Sequence, residues 1–245
     1  MARQRGGDNA HRKRKQQGAR RHREVYVFAE GEVTEDEYAQ IVLEHGVRKH
    51  PDLPVKCEFR TPTERKPLPL VEDAVALARR VRREARKAKL TEDDDRWPQV
   101  WCLFDRDQHR HIPEAIALAK REKIEVAYSH PCFELWRLLH YQNYTSTFGC
   151  VCNDARDRLR QQPDFAKTYG PNIKRVDDNL VKHVRPGQVL SDTPGQSRPG
   201  PSRYKKAKGF AQRLNGQHNH PDPCHWDPYT DVWEFVERAL DVIDY

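Results

Sequence analysis

Between residues 24 and 145, short apolar runs alternate with longer segments whose apolar residues recur every three or four positions. Short runs are typical of buried strands, and the longer pattern is typical of amphipathic helices. Strands that alternate with helices build right-handed β-α-β units and a mostly parallel sheet. The sequence therefore predicts an α/β fold whose mostly parallel sheet is flanked by helices.

Four strands and four helices are predicted in this part of the chain. The strands are 24–31, 55–61, the apolar run that begins at Pro98, and 124–130; the helices are 33–46, 69–90, 113–122 and the segment after Pro131. In the first helix, Thr34 and Glu37 have the spacing of a capping box, and Gly46 fits the position that ends the helix.

The rest of the chain, residues 146–245, is predicted to be mainly helical. Helices are expected over 153–165, 204–214 and 230–244, and the Pro-, Gly- and Ser-rich stretch 185–203 predicts a flexible loop. We divide the chain into a basic tail (1–23), an α/β core (24–145) and a helical C-terminal extension (146–245).

Positive charge is concentrated at the beginning of the chain. The net charge is +7, and the first 23 residues hold nine Lys and Arg against one acid. Such a segment is predicted to be disordered. It is either an arm that binds nucleic-acid phosphates or a solvated tail without a dedicated role. The overall excess of positive charge favours a polyanionic partner.

Composition argues against a membrane or secreted protein. No apolar run approaches the roughly 20 residues that span a bilayer, and no apolar segment follows the basic N-terminus as in a secretory signal. Six cysteines in 245 residues are too few for a disulfide scaffold, so reduced thiols are expected. We expect a cytoplasmic protein that does not contact membranes.

Carboxylates follow three of the predicted strands. Glu30 ends the first strand in a Glu-Gly turn, Asp105 and Asp107 follow the third, and Glu134 opens the helix after the fourth. Sites in parallel sheets form at the carboxyl ends of strands, so these acids are expected at one rim. In a strand, residues i and i+2 share a face, where two aspartates repel each other without a cation. We therefore expect Mg²⁺ or Mn²⁺ there.

Each acid also has an explanation that needs no metal. Glu35 and Asp36 lie in the first turn of a helix, where acids stabilise the helix dipole. In haloacid-dehalogenase-like phosphatases the first aspartate of an Asp-x-Asp pair is a nucleophile. Those enzymes carry Thr or Val four residues after that aspartate, where this chain has His109, which argues against them.

A second candidate metal site lies later in the chain. A structural Zn²⁺ needs four Cys or His ligands. The candidates are Cys150, Cys152, His218, His220, Cys224 and His225. The Cys-x-Cys spacing is tighter than usual and the two groups are far apart in the chain, so unpaired cysteines and surface histidines are the alternative.

Three motifs resemble one protein family. VYVFAEGEVTEDEY, VWCLFDRDQ and SHPCFELWRLLH are similar, in this order, to motifs of the RloB-like proteins, whose core resembles a Toprim domain. The resemblance covers about residues 24–145 and continues more loosely to DPYTDVWEFVERAL. It implies a Toprim/Rossmann-like fold and metal-dependent phosphodiester chemistry on DNA or RNA.

The resemblance also implies roles for single residues. Glu30 would bind metal or act as general acid or base, and Asp105 and Asp107 would bind metal. Related nucleases of the overcoming-lysogenization type complete a two-metal site with a Ser-x-Glu and a lysine. Their nearest counterparts here are Ser129 and Glu134, at a different spacing. The remaining candidates are Glu35 or Glu32 for the acid after the Glu-Gly turn, and Lys174, Lys167, Lys205 or Lys206 for the lysine.

These patterns together predict a nuclease that depends on Mg²⁺ or Mn²⁺. The expected catalytic residues are Glu30, Asp105, Asp107, Glu134 and Lys174, and the expected metal ligands are Glu30, Glu35, Asp105, Asp107 and Glu134. The resemblance associates such proteins with bacterial anti-phage defence and abortive infection, in some cases beside an ATPase partner. The alternative is a catalytically silent Toprim-like module that binds nucleic acid or a partner ATPase.

Overall fold

The computed structural model describes residues 22–190 and 201–245. Most of the predicted basic tail therefore lies outside the described residues. The same holds for residues 191–200, the centre of the loop predicted at 185–203.

A five-stranded sheet forms the centre of the fold. In chain order the strands are β1 (Arg23–Ala29), β2 (Val47–Arg48), β3 (Val55–Arg60), β4 (Gln99–Asp105), β5 (Glu125–His130), β6 (Tyr229–Thr230) and β7 (Val242–Asp244). The main sheet has the order β3-β1-β4-β5-β6, in which only β6 is antiparallel. Strands β2 and β7 form a separate antiparallel pair. The predicted mostly parallel α/β fold is confirmed.

Helices cover both faces of this sheet. They are α1 (Thr34–His45), α2 (Pro67–Lys87), α3 (Ile112–Arg121), α4 (Phe133–Leu139), α5 (Cys152–Arg160), α6 (Pro186–Val189), α7 (Arg203–Asn215) and α8 (Val232–Glu234). Short 3-10 turns occupy Ala166–Tyr169, Leu180–Lys182 and Pro223–His225. In the part of the chain that the structure describes, no helix combines the length and the apolar character that crossing a membrane requires.

Alternation along β4 divides the core in two. Trp101 and Leu103 pack with α1, α4 and α7, whereas Val100, Cys102 and Phe104 pack with α2 and α3. Successive side chains of a strand point to opposite faces. Asp105, two residues after Leu103, therefore points toward the face that carries α1 and α4.

The position of β1 in the sheet determines where a site can form. From β1 the chain moves to β3 on one side, and then through α2 to β4 on the other side. The loops after β1 and β4 thus diverge where these neighbouring strands end. Ligands of open parallel sheets bind at such a switch point, outside the carboxyl ends of the strands.

The C-terminal residues complete the same sheet and the same core. Strand β6 pairs with β5, and the ring of Phe235 lies 5.5 Å from that of Trp101. The predicted helix over 230–244 is wrong at both ends. Helix α8 continues as a π-helical segment, Phe235–Ala239, and the chain then turns at Asp241, whose φ of 61° ends helical geometry. Asp241 is held there because its carboxylate accepts hydrogen bonds from the backbone N–H and ring of His50.

The predicted capping box of α1 is also wrong. The helix begins at Thr34, but the Thr34 hydroxyl donates to the carbonyl of Lys182, at 2.8 Å. The Glu37 carboxylate instead accepts from the backbone N–H of Val184, at 2.7 Å. Tertiary contacts with the segment around residue 183 therefore replaced the local cap. Gly46 does follow the last residue of the helix, as predicted.

Candidate metal centre

Three potential ligands converge where β4 ends and α4 begins. Ligand atoms of Asp105, Cys132 and Glu134 all lie within 4.8 Å of one another. Cys132 is 0% exposed and Glu134 is 5% exposed. Within the described ranges this is the one group of three or more His, Cys, Asp or Glu residues with such spacing.

Two neighbouring loops build this arrangement. The parallel pairing of β4 with β5 places Asp105 opposite Ser129. Beyond the strands, the N–H of Arg106 donates to the carbonyl of Ser129 at 2.8 Å, and the N–H of Asp107 donates to the carbonyl of Pro131 at 3.1 Å. The turn after β4 is therefore tied to the short link that carries Cys132 into α4.

Glu30 lies beside this group and is held from two sides. One carboxylate oxygen accepts from the backbone N–H of Asp105 at 3.1 Å, and the other lies 2.8 Å from His109 Nε2. Burial raises the pKa of Glu30, while the hydrogen bond with His109 opposes that rise. The position of the Glu30 side chain is thus fixed before any substrate binds.

Arg65 holds the turn that follows Glu30. Its guanidinium donates to the carbonyls of Ala29, Glu30 and Gly31, at 3.3, 3.3 and 2.9 Å. It also lies 3.4 Å from the carboxylate of Glu32, which is largely exposed. The Glu-Gly turn is therefore fastened to the loop that precedes α2.

Glu35 is the most deeply enclosed acid of the turn. It is 4% exposed, and its Oε2 has no hydrogen-bond partner among the described residues. Gly31 gives it room, because a Cβ at that position would collide with the Glu35 carboxylate. Burial, with the nearby charges of Glu134 and Glu30, raises the pKa of Glu35 to about 7. A bound cation would stabilise the charged form of such a carboxylate.

Negative charge predominates in this group. Burial raises the pKa of Asp105 well above its usual range, and Glu30, Glu35 and Glu134 add to the rise. The guanidinium of Arg156 lies 3.4 Å from Glu134 Oε1 and offsets part of this negative charge. Carboxylate oxygens are the ligands that Mg²⁺ and Mn²⁺ prefer, and Glu35 lies near enough to raise the pKa of Asp105. These residues fit a divalent cation.

Comparison with known proteins agrees with the resemblance of the motifs. The RloB-like protein family model matches residues 25–238. The chain belongs to the RloB-like family. Neither a curated protein nor a solved structure matches the chain.

Asp107 differs from the geometry predicted for this RloB-like chain. The strand ends at Asp105, and Asp107 lies in a turn with a φ of 31°. The expectation that both aspartates share one face of a strand is therefore wrong, because only Asp105 belongs to the strand. The charge of Asp107 still contributes to the raised pKa of Glu30. Its role as a metal ligand stays a prediction.

Ser129 lies beside Asp105 on the neighbouring strand, but among the described residues no hydrogen bond or ion pair joins its side chain or that of Lys174 to these acids. The Ser129 hydroxyl forms its hydrogen bond with that of Thr230, at 3.0 Å. Lys174 is exposed between two 3-10 turns, and no described contact joins it to the carboxylates. Lys167 pairs with Asp164 and Lys205 with Asp244. A catalytic lysine in this RloB-like protein stays a prediction.

The zinc ligands considered above do not form a group with ligand spacing among the described residues. Cys150 Sγ lies 3.2 Å from His130 Nε2, and Cys152 Sγ points to the carbonyl of Pro131. Cys224 packs on the opposite face of the sheet, with α2 and α3. All six cysteines are free thiols.

Three residues of the centre were missed in the sequence. His109 was noted only as a departure from the phosphatase pattern, and Cys132 only as part of a family motif. The spacing of Cys132 to Glu134, two residues apart, could have suggested a shared site. Arg156 had no local signal, because only the packing of α5 against α4 brings it to Glu134.

Proposed function

We propose that this RloB-like chain is a nuclease that uses Mg²⁺ or Mn²⁺ to hydrolyse phosphodiester bonds of DNA or RNA. The observation that carries the proposal is the group of half-buried Asp105 and buried Glu134, with Glu35 and Glu30 beside it, at the switch point of the sheet. A bound divalent cation stabilises charge on phosphoryl oxygens and lowers the pKa of a water molecule.

The residues of the chain divide the remaining work. Asp105 and Glu134 hold the cation, and the unpartnered oxygen of Glu35 completes the acidic wall. Glu30, oriented by His109, accepts the proton of the attacking water. A carboxylate whose pKa is raised by burial is the stronger base for this step.

A groove with two arginines lies at the carboxyl end of β3, on the face of the sheet that carries α2, and supports a polyanionic substrate. It has a volume of about 320 Å³ and is lined by Arg60, Thr61, Thr63 and Arg80, together with apolar and acidic residues of α2. Arg60 ends β3, and Phe28 of β1 also lines the groove. Arg80 makes no ion pair within the described ranges. Arginine and threonine side chains are common partners of nucleic-acid phosphates.

The proposal is tested with a plasmid- and RNA-cleavage assay beside calorimetric titration of Mn²⁺. We expect Asp105→Asn/Glu134→Gln to lose Mn²⁺ binding and to lower cleavage about 100-fold or more. Asp154→Asn is the matched control, because Asp154 is an exposed acid in the first turn of α5. A double variant that cleaves as the wild type does would refute the proposal. Mn²⁺ binding without cleavage by the wild type would favour the silent binding module.

We further propose a role in anti-phage defence, in keeping with the family, with an ATPase as a candidate partner. Cells that express the wild type should survive phage challenge better than cells that express Asp105→Asn/Glu134→Gln. Equal survival of the two groups of cells would show that cleavage does not contribute to defence.

A further inference from the structure

We propose that Cys132 is a thiolate ligand of the metal centre and makes it selective for Mn²⁺, and for other divalent ions that accept sulfur, over Mg²⁺. This inference rests on the proposed function only in that the centre holds a cation. It concerns which ion is held and by which atoms.

The placement of the sulfur is the first observation. Cys132 Sγ lies within 4.8 Å of ligand oxygens of both Asp105 and Glu134. Atoms that share one ion at about 2.0–2.5 Å lie no more than about 5 Å apart, so these three can bind the same ion. Cys132 directly precedes α4, whose first turn carries Glu134. One short segment therefore supplies two of the three ligand atoms.

The surroundings of Cys132 differ from those of an ordinary core thiol. A buried cysteine usually fills apolar space. Cys102, on the other face of the sheet, does so among Val100 and Phe104. Cys132 also belongs to an apolar cluster, but it adjoins two carboxylates as well, and its hydrogen-bond acceptor is the carbonyl of Cys152 at 4.0 Å, a weak contact. The other contact of the thiol is a hydrogen bond with the side chain of Cys152, and thiols are weak donors and acceptors.

The charges of the centre permit a third anionic ligand. When the metal–sulfur bond forms, the Cys132 proton leaves to solvent, so the sulfur binds as a thiolate. Asp105, Glu134 and Cys132 then carry three negative charges. The dication offsets two of them, and Arg156, 3.4 Å from Glu134, offsets the third. The charges of these three ligands, the dication and Arg156 sum to zero, which lowers the cost of burying them; Glu30 and Glu35 lie outside this sum.

A thiolate in this position discriminates among ions. Mg²⁺ prefers oxygen ligands and gives up its waters reluctantly. Softer divalent ions accept sulfur, and affinity for mixed sites rises from Mn²⁺ through Co²⁺. Replacing the sulfur by oxygen should therefore weaken Mn²⁺ binding and leave Mg²⁺ binding almost unchanged.

The test uses Co²⁺ as a spectroscopic probe of the full chain. Thiolate-to-cobalt charge transfer gives an absorption band in the near ultraviolet. We expect this band in the wild type and in Cys152→Ser, whose buried thiol contacts the carbonyl of Pro131. We expect no band in Cys132→Ser and Cys132→Ala. Calorimetry should show that Cys132→Ser weakens Mn²⁺ binding about tenfold or more.

Each outcome decides the inference. A band that persists in both Cys132 variants, or a wild type that binds Co²⁺ without the band, overturns the thiolate ligand. The wild-type spectrum needs no variant, so it decides even if a substitution prevents folding. If the wild type cleaves with Mn²⁺ but Co²⁺ gives no band, the proposed nuclease activity is supported and only the proposed thiolate ligand is refuted. A band without cleavage confirms the ligand and refutes the nuclease.

Discussion

His109 Nε2 lies 2.8 Å from Glu30 Oε1, so a residue of the turn after β4 orients an acid at the end of β1. The other oxygen of Glu30 accepts from the backbone N–H of Asp105. The carboxylate proposed as general base is therefore held by two contacts from the neighbouring strand and its turn.

We predict that His109→Ala lowers cleavage about tenfold and leaves Mn²⁺ affinity unchanged. The hydrogen bond with His109 lowers the pKa of Glu30, so its loss raises that pKa further. Because the base must be deprotonated, the acidic limb of the pH profile of kcat/KM should move to higher pH. His109→Gln keeps a donor and should restore much of the rate. An unmoved pH profile would show that His109 has only a structural role.

Gly31→Ala should disturb the metal centre, because the added Cβ would collide with the Glu35 carboxylate. We expect weaker Mn²⁺ binding and a free energy of unfolding lower by about 1–3 kcal/mol. Gly209→Ala is the control, because nothing lies near a Cβ at that position in α7. It should stabilise the chain by about 0.5–1 kcal/mol. Chemical unfolding and calorimetry measure both effects, and equal behaviour of the two variants would contradict the prediction.

The groove lined by Arg60 and Arg80 should bind substrate phosphates. We expect Arg60→Gln/Arg80→Gln to weaken nucleic-acid binding at low salt and to reduce the slope of log affinity against log salt by about 2. Lys87→Gln, at the exposed C-terminal end of α2, is the control and should reduce it by less. Binding titrations at several salt concentrations give the slope. A double variant with the wild-type slope would place the substrate elsewhere.

His140 should make the fold sensitive to acid. Its ring is buried, with Nδ1 2.9 Å from the carbonyl of Trp136 and Nε2 3.0 Å from the Tyr245 hydroxyl. Burial lowers the pKa of His140 from 6.5 to about 4. The unfolded state therefore takes up a proton first, and stability present above pH 6.5 is lost as the pH falls toward 4. The loss amounts to about 3 kcal/mol.

Urea unfolding at pH 7 and at pH 4 measures this contribution. His140→Gln keeps a donor and an acceptor but does not titrate, so it should lose about 3 kcal/mol less than the wild type between these pH values. Equal losses in both proteins would contradict the proposed titration of His140.

Much of the fold and part of the site could be predicted because they depend on local periodicity. Buried strands and amphipathic helices leave period-2 and helical patterns that survive in a single sequence. The rule that sites form at the carboxyl ends of parallel strands then brought Asp105, Glu30 and Glu134 to one rim. The structure does place these acids there.

Other predictions were wrong where a residue had a distant partner. Thr34 and Glu37 match a capping box, yet both bind the segment around residue 183. Asp107 was assigned to the same strand face as Asp105, but the carbonyl of Pro131 holds its backbone in a turn. Spacing in the sequence cannot reveal a contact with a loop that arrives later in the chain.

Neighbours a few residues apart are enough to predict the alternation of strands and helices, the parallel sheet and the rim where acids collect. The chemistry of that rim depends on contacts that form only in the folded chain. The pairing of β4 with β5 brings Cys132 to Asp105, and the packing of α5 brings Arg156 to Glu134. Burial and charge pairing depend on distances across the fold, and local sequence does not encode these distances.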